Sequence, residues 1–188
     1  MSPATEDFGE VLAAAKAGQE WAVASLYDAL QPPLLRYLTW REPSAAEDLA
    51  GETWLAVAER IGGFEGGEGQ FRAWVFGIAR RRLADHRRHG ARRRTVATPD
   101  DALALIEGGH DPSAVVGDRL ASEEALATLT RALPADQAEV VVLRVVGGLS
   151  VEETAEVLGK RPGNIRVLQH RALRRLAGEL STKSGAEV

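Results

Sequence analysis

Apolar residues recur along this chain at helical spacing and nowhere sustain the strict alternation of a half-buried strand, so the pattern predicts an all-α protein. Val23, Leu26, Tyr27, Leu30, Leu34 and Leu38 mark the apolar stripe of an early helix. Pro32-Pro33 should kink or split it, because each proline removes an amide donor and crowds the carbonyl four residues back. Ser44-Ala45-Ala46-Glu47 has the capping-box spacing and predicts a helix running to about Ile61. Gly62, Gly63, Gly66, Gly67 and Gly69 then read as a loop. A further helix is predicted from Phe71 to about His89, apolar in its first half (Trp74, Val75, Phe76, Ile78) and arginine-rich in its second.

From Arg94 to about Asp111 the periodicity dissolves into Thr95, Pro99, Asp100, Asp101, Gly108, Gly109 and Pro112. This stretch reads as a flexible acidic linker with at most a short helical turn at Ala102 to Ile106. Beyond it the pattern predicts helices at about Ser113 to Ala132, Ala135 to Val146, Val151 to Leu158 and Pro162 to about Leu180. The organisation expected is two helical domains, residues 8–94 and 113–180, joined by a linker over residues 95–112. A chain of 188 residues with 45% hydrophobic content has enough apolar material for a core in each half.

Composition narrows the chemistry. The chain has no cysteine, which removes disulfides, thiolate metal sites and cysteine nucleophiles and suits a reducing compartment. The N-terminus is acidic, without the basic start and apolar stretch of a secretory leader, and no apolar run approaches the ~18 residues of a membrane span. A cytoplasmic protein is expected. The formal net charge of −4 conceals a pattern: residues 1–59 carry −7, residues 60–94 carry +7, residues 95–159 carry −9 and residues 160–176 carry +6. Each basic block falls at the end of its own helical half, which is the electrostatic footprint of contact with a polyanion.

The second basic block sits in a recognisable frame. Ser150-Val151-Glu152-Glu153 is another capping box, Gly159 ends the short helix it opens, and Pro162 suits the first turn of the next. Two helices joined by a tight glycine-containing turn make a helix-turn-helix, here spanning Leu133 to Leu176, whose second helix enters the major groove of duplex DNA. That helix carries Asn164, Arg166, Gln169, His170, Arg171, Arg174 and Arg175, while Ile165, Leu168, Ala172 and Leu176 repeat at core spacing. Arginine pairs bidentately with guanine and asparagine with adenine; Lys160, Arg161, Arg174 and Arg175 are placed to hold phosphates.

The stretch from Leu133-Pro134 through Glu139-Val140-Val141-Val142-Leu143-Arg144 to Gly148-Leu149-Ser150-Val151-Glu152-Glu153-Thr154-Ala155-Glu156-Val157-Leu158-Gly159 resembles region 4 of bacterial sigma factors. Leu26-Tyr27, Leu34-Leu35-Arg36-Tyr37-Leu38, Ala46-Glu47-Asp48-Leu49-Ala50-Gly51-Glu52-Thr53-Trp54 and Phe71-Arg72-Ala73-Trp74-Val75-Phe76-Gly77-Ile78-Ala79-Arg80 resemble region 2, in the right order. With both halves present and no counterpart of regions 1.1 and 3, the chain looks like a sigma-70 family member of the extracytoplasmic-function (ECF) group. The resemblance implies that Asp48, Glu52, Trp54 and Leu55 dock on the β′ clamp helices of core RNA polymerase, with region 4 on the β flap. It implies that the loop around Phe64 to Gln70 captures a flipped minus-10 base. Trp74, Arg80, Arg81 and Arg82 would then flank the base's path, with Arg87, Arg88 and Arg92 to Arg94 on phosphates. It assigns the minus-35 element to Arg161, Asn164, Arg166, Val167, His170, Arg171 and Arg174. It also implies promoter DNA and an anti-sigma factor as partners, with no cofactor, metal or small-molecule substrate. Two weak DNA contacts joined by a linker gain by effective concentration only when polymerase holds their spacing, so weak promoter binding by the free chain is expected.

Two other classes fit less. A stand-alone helix-turn-helix regulator, binding duplex operators without core polymerase, leaves the Asp48–Glu52 face and the glycine loop unused. An enzyme lacks its chemistry: His86, His89, His110 and His170 show no metal-ligand spacing, no phosphate-binding glycine motif precedes a helix, and no Ser-His-Asp arrangement is suggested.

Overall fold

A computed structural model describes residues 7–96, 126 and 130–184, with side chains described through residue 92 of the first stretch and through residue 179 of the last. Among the described residues it contains seven α-helices and no strand: α1 (Phe8–Lys16), α2 (Glu20–Arg41), α3 (Ala46–Arg60), α4 (Glu68–Val96), α5 (Ala135–Val145), α6 (Val151–Leu158) and α7 (Pro162–Ser184). The all-α expectation holds. The linker and the helices expected at Ala102 to Ile106 and across most of Ser113 to Ala132 lie outside the described residues.

Helices α1 to α4 form the first half. Leu26, Leu30, Leu34, Tyr37 and Leu38 on α2 bury against Leu49, Ala50, Thr53, Ala56 and Val57 on α3 and against Phe71, Val75, Phe76, Ile78, Ala79 and Leu83 on α4. Each large apolar side chain so buried contributes about 1.5–3 kcal/mol of transfer free energy. Thr53 sits in this core without penalty, because its hydroxyl donates to the Leu49 carbonyl at 2.6 Å. Val23 and Tyr27, expected on the buried stripe, are 48% and 42% exposed. The stripe is narrower than the apolar spacing suggests, and these two residues lie on its solvent edge.

Three local expectations are corrected. Helix α2 is continuous from Glu20 to Arg41 with Pro32 and Pro33 inside it. The carbonyls that lose their donors belong to Asp28 and Ala29, both exposed residues, so the missing bonds fall on the solvent side while Leu30 and Leu34 stay packed. The Ser44–Glu47 capping box does not form. Pro43 begins a 3-10 turn, Pro43–Ala45, that absorbs Ser44, and α3 starts at Ala46 with no side-chain cap. The glycine loop is also shorter than expected, since Ile61–Gly63 is a 3-10 turn and α4 already begins at Glu68. The Gln70 side chain reaches back to accept from the Gly67 N–H at 2.8 Å, as the third residue of a capped helix does, and this draws Gly69 and Gln70 into α4.

In the second half the three helices expected from Ala135 onward appear. The Ser150 side chain accepts from the Glu153 amide and the Glu153 side chain accepts from the Ser150 amide, a complete capping box at α6. Gly159 closes α6 in the left-handed conformation (φ 62°), where a Cβ would be strained. Ile165 and Ala172 of α7 are fully buried against α5 and α6. The two halves do not enclose separate cores. Val140, Val142, Leu143, Leu149 and Ala155 belong to the same buried cluster as Phe76 and Tyr37, and α6 lies along α4.

Candidate nucleic-acid interface

Helix α7 presents the clearest surface. Asn164, Arg166, Val167, His170, Arg171 and Arg174 are all exposed, turned away from Ile165 and Ala172, and Arg161 is exposed just before the helix begins. Burial of that inner stripe against α5 and α6 fixes which face is turned outward, so the donor face is set by packing. Within it, Arg166 Nη2 pairs with Glu152 Oε1 of α6 at 2.7 Å, with both side chains more than half exposed. An ion pair this open is worth ~1 kcal/mol or less and yields readily to a base or phosphate. Behind the face, Arg144 of α5 donates to Gln169 of α7 at 3.3 Å and to the Leu149 carbonyl in the turn before α6, tying the two helices to that turn.

Helix α4 supplies the second basic surface, and here the expected residues divide. Arg81, Arg87 and Arg88 are exposed, while Arg80 and Arg82 are half-buried. Arg87 donates to Glu42 Oε2 at 3.0 Å and to the Arg41 carbonyl, and Arg88 pairs with Asp85. Arg80 Nε lies 3.3 Å from Glu139 Oε1, which belongs to the other half of the chain. Gln70 is exposed at the start of α4, whereas Phe64 is buried. Its ring packs 5.2 Å from Phe71 and 5.1 Å from Trp74, centroid to centroid, so it forms the floor of an aromatic cluster and not an open wall. Half-buried Trp74 is the member of that cluster with a free edge.

The acidic face of α3 is built on helical spacing. Asp48, Glu52 and Leu55 fall at i, i+4 and i+7 and are exposed together, Leu55 at 68%. Trp54 turns away from this stripe toward α2, where its Nε1 donates to Gln31 at 2.7 Å and its ring packs on Tyr27 at 5.0 Å. Exposed Val23 and Tyr27, one turn apart on α2, extend the apolar surface beyond Trp54, and exposed Trp21 lies on another face of the helix. Sequence spacing assigns Val23 and Tyr27 to the core, and exposed Trp21 falls outside the periodic pattern altogether.

Tyr37, Arg80 and Glu139 form a constellation that sequence reasoning misses. The Tyr37 hydroxyl donates to Glu139 Oε1 at 3.1 Å, and Arg72 donates to the Gly148 carbonyl at 3.4 Å. Burial first, and the adjoining Glu139 carboxylate second, push the Tyr37 phenol above its ordinary range, so it remains a donor. No local motif signals contacts of this sequence separation. Among the described residues no group of three or more His, Cys, Asp or Glu side chains could hold a metal ion, and no helix is long and apolar enough to cross a membrane.

Comparison with known proteins follows the same division of the chain. Residues 26–93 match the family model described as Sigma-70 region 2, and residues 123–176 the one described as Sigma-70, region 4. Among curated proteins the chain is similar to the ECF RNA polymerase sigma factor BldN of Streptomyces coelicolor, 40% identical over 170 residues, covering 89% of this chain and 64% of that protein. It is also similar to the ECF RNA polymerase sigma factor SigD of Mycobacterium tuberculosis, 34% identical over 189 residues, covering 96% of this chain and 87% of that protein. It thus spans a little under two thirds of the length of BldN and most of SigD. Among solved structures, CnrH in complex with the cytosolic domain of CnrY shares the fold, with a TM-score of 0.65 at 20% identity over 93% of this chain and 97% of that one. The sigma factor RpoE in complex with the anti-sigma factor NepR, from Bartonella quintana, aligns with a TM-score of 0.59 at 28% identity over 82% and 94%.

Proposed function

The chain belongs to the sigma-70 family, among its ECF members, and from that premise we propose that it joins core RNA polymerase and directs promoter-specific initiation. The observation that carries this reading is the presence in one chain of two exposed basic helix faces, on α4 and on α7, each inside its own sigma-region match. In this reading α7 lies in the major groove of the minus-35 element. Asn164, Arg166, Val167, His170 and Arg171 reach base edges, and Arg161 and Arg174 reach phosphate. Opening Arg166 from Glu152 is part of that engagement.

Helix α4 takes the melted minus-10 strand. Arg81, Arg87 and Arg88 neutralise its phosphates, Arg80 and Arg82 line its path, and Gln70 and Trp74 meet an unstacked base by hydrogen bond and ring face. Phe64 serves this site from beneath, holding the Phe71 and Trp74 rings. Asp48, Glu52 and Leu55 form the docking stripe for the β′ clamp helices, an acidic rim around an apolar contact, with Trp54 and Tyr27 as its flank; region 4 meets the β flap. The domain boundaries 8–94, 95–112 and 113–180 belong to this proposal, as do an anti-sigma partner, a cytoplasmic site of action and a role as a binding factor rather than an enzyme.

Asp48→Arg tests the docking assignment. The side chain is exposed, so the variant should keep wild-type helicity and melting temperature, while its assembly with core polymerase in size-exclusion chromatography is lost. Undiminished assembly by a folded Asp48→Arg protein would remove Asp48 from the interface.

A further inference from the structure

From Pro162 to Leu176, α7 carries Arg166, Arg171, Arg174 and Arg175 and no acid of its own. Among the described ion pairs, the acid that reaches this helix comes from α6. Glu152, in the first turn of α6, accepts through Oε1 from Arg166 Nη2 at 2.7 Å, and both side chains are more than half exposed. Its neighbour Glu153 is committed to the helix cap, where it accepts from the Ser150 amide. Glu152 takes no part in that cap and lies outside the core. An acid at the edge of a DNA-reading surface weakens attraction to phosphates whatever the sequence. What it adds is therefore discrimination among bases.

The major groove offers a carboxylate two kinds of base edge. Cytosine and adenine present an amino group that donates to it, whereas guanine and thymine present a carbonyl oxygen that repels it. An arginine paired bidentately with guanine covers that base's edge, so a carboxylate held beside the Arg166 guanidinium falls over the neighbouring base pair. We infer that Glu152 is a specificity-determining residue of α7's duplex contact, selecting cytosine or adenine beside the guanine that Arg166 takes. The two side chains then change partners together. With an amino base next to the guanine, Arg166 leaves the carboxylate for O6 and N7, and Glu152 accepts from the exocyclic amine. With a keto base there, the freed carboxylate meets no donor, so Arg166 stays on Glu152 and the guanine goes unread. Recognition of the two base pairs is thus coupled. The inference rests on the duplex-DNA reading of α7.

The full chain, assembled with core RNA polymerase, is used to select promoter fragments randomised across the minus-35 element, and the bound fragments are sequenced. Wild type, Glu152→Gln and Arg166→Ala are compared; both side chains are exposed, so helicity should be unchanged. The position whose guanine preference Arg166→Ala abolishes is the one Arg166 reads. Wild type should favour that guanine about tenfold beside cytosine or adenine and about twofold or less beside guanine or thymine. Glu152→Gln, whose amide both donates and accepts, should favour it equally beside any base. Glu152→Ala gives the same decoupling without a hydrogen-bonding group that could add a preference of its own. A dependence on the neighbouring base that is absent from wild type, or equal in wild type and both Glu152 variants, would overturn the role of Glu152 and leave α7 as the reader. Loss of the guanine preference itself in the Glu152 variants, at wild-type helicity, would also overturn it, because Glu152 would then only support Arg166. An Arg166→Ala profile identical to wild type would instead overturn the reading of Arg166 on which the inference rests.

Discussion

Phe76 lies fully buried on α4, edge-on to Tyr37 with ring centroids 5.6 Å apart, and reaches Gly147 across the junction of the two halves. Phe76→Ala should therefore cost about 3–5 kcal/mol in urea unfolding, through lost transfer energy and a cavity that this close-packed junction cannot collapse. A loss under about 1 kcal/mol would place the ring outside the core. At this scale the sequence is informative where burial follows from type and spacing, as for Phe76, Leu34 and Ile165. It misleads at Val23 and Tyr27, because helical spacing defines an apolar stripe but not which edge of it a neighbour covers. Phe64 shows the converse. Its glycine surroundings read as an open loop, yet the Phe71 and Trp74 rings close over it.

At the scale of elements, the same four-residue pattern has two outcomes. Ser150 to Glu153 forms its capping box, whereas Ser44 to Glu47 does not, because Pro43 starts a 3-10 turn that carries Ser44 past the capping position. Ser150→Ala should consequently destabilise the chain by about 1 kcal/mol. Gly51 offers the opposite test. It is exposed in the interior of α3 with nothing within 4 Å of an added Cβ, so Gly51→Ala should stabilise by about 1 kcal/mol, a rise of about 2–4 °C in Tm. Calorimetry checks both, and a fall in Tm for Gly51→Ala would contradict an unobstructed helix there. The helix-turn-helix is the most legible element, since its cap, left-handed glycine, proline and basic face all act within a few residues of one another. The continuity of α2 through Pro32-Pro33 is not legible, because it depends on the solvent exposure of the carbonyls one turn earlier.

At the scale of the whole molecule, the two basic faces are readable from the sequence as charge blocks, and the family matches fall on the same segments. The packing of one half on the other is not readable. It hangs on pairs such as Tyr37 with Glu139, 102 residues apart, and Arg80 with Glu139, 59 apart, and no local periodicity encodes these. The chain therefore has a sequence that describes two modules and a fold that joins them. The proposed function requires those modules to act at two promoter elements on one polymerase. Run-off transcription with purified core RNA polymerase, this protein and a library of promoter fragments tests that most directly. Transcripts from discrete start sites that depend on both the protein and the core enzyme, and that disappear with Asp48→Arg, are the predicted result. No directed initiation, together with tight binding of duplex operators by the protein alone, would contradict it.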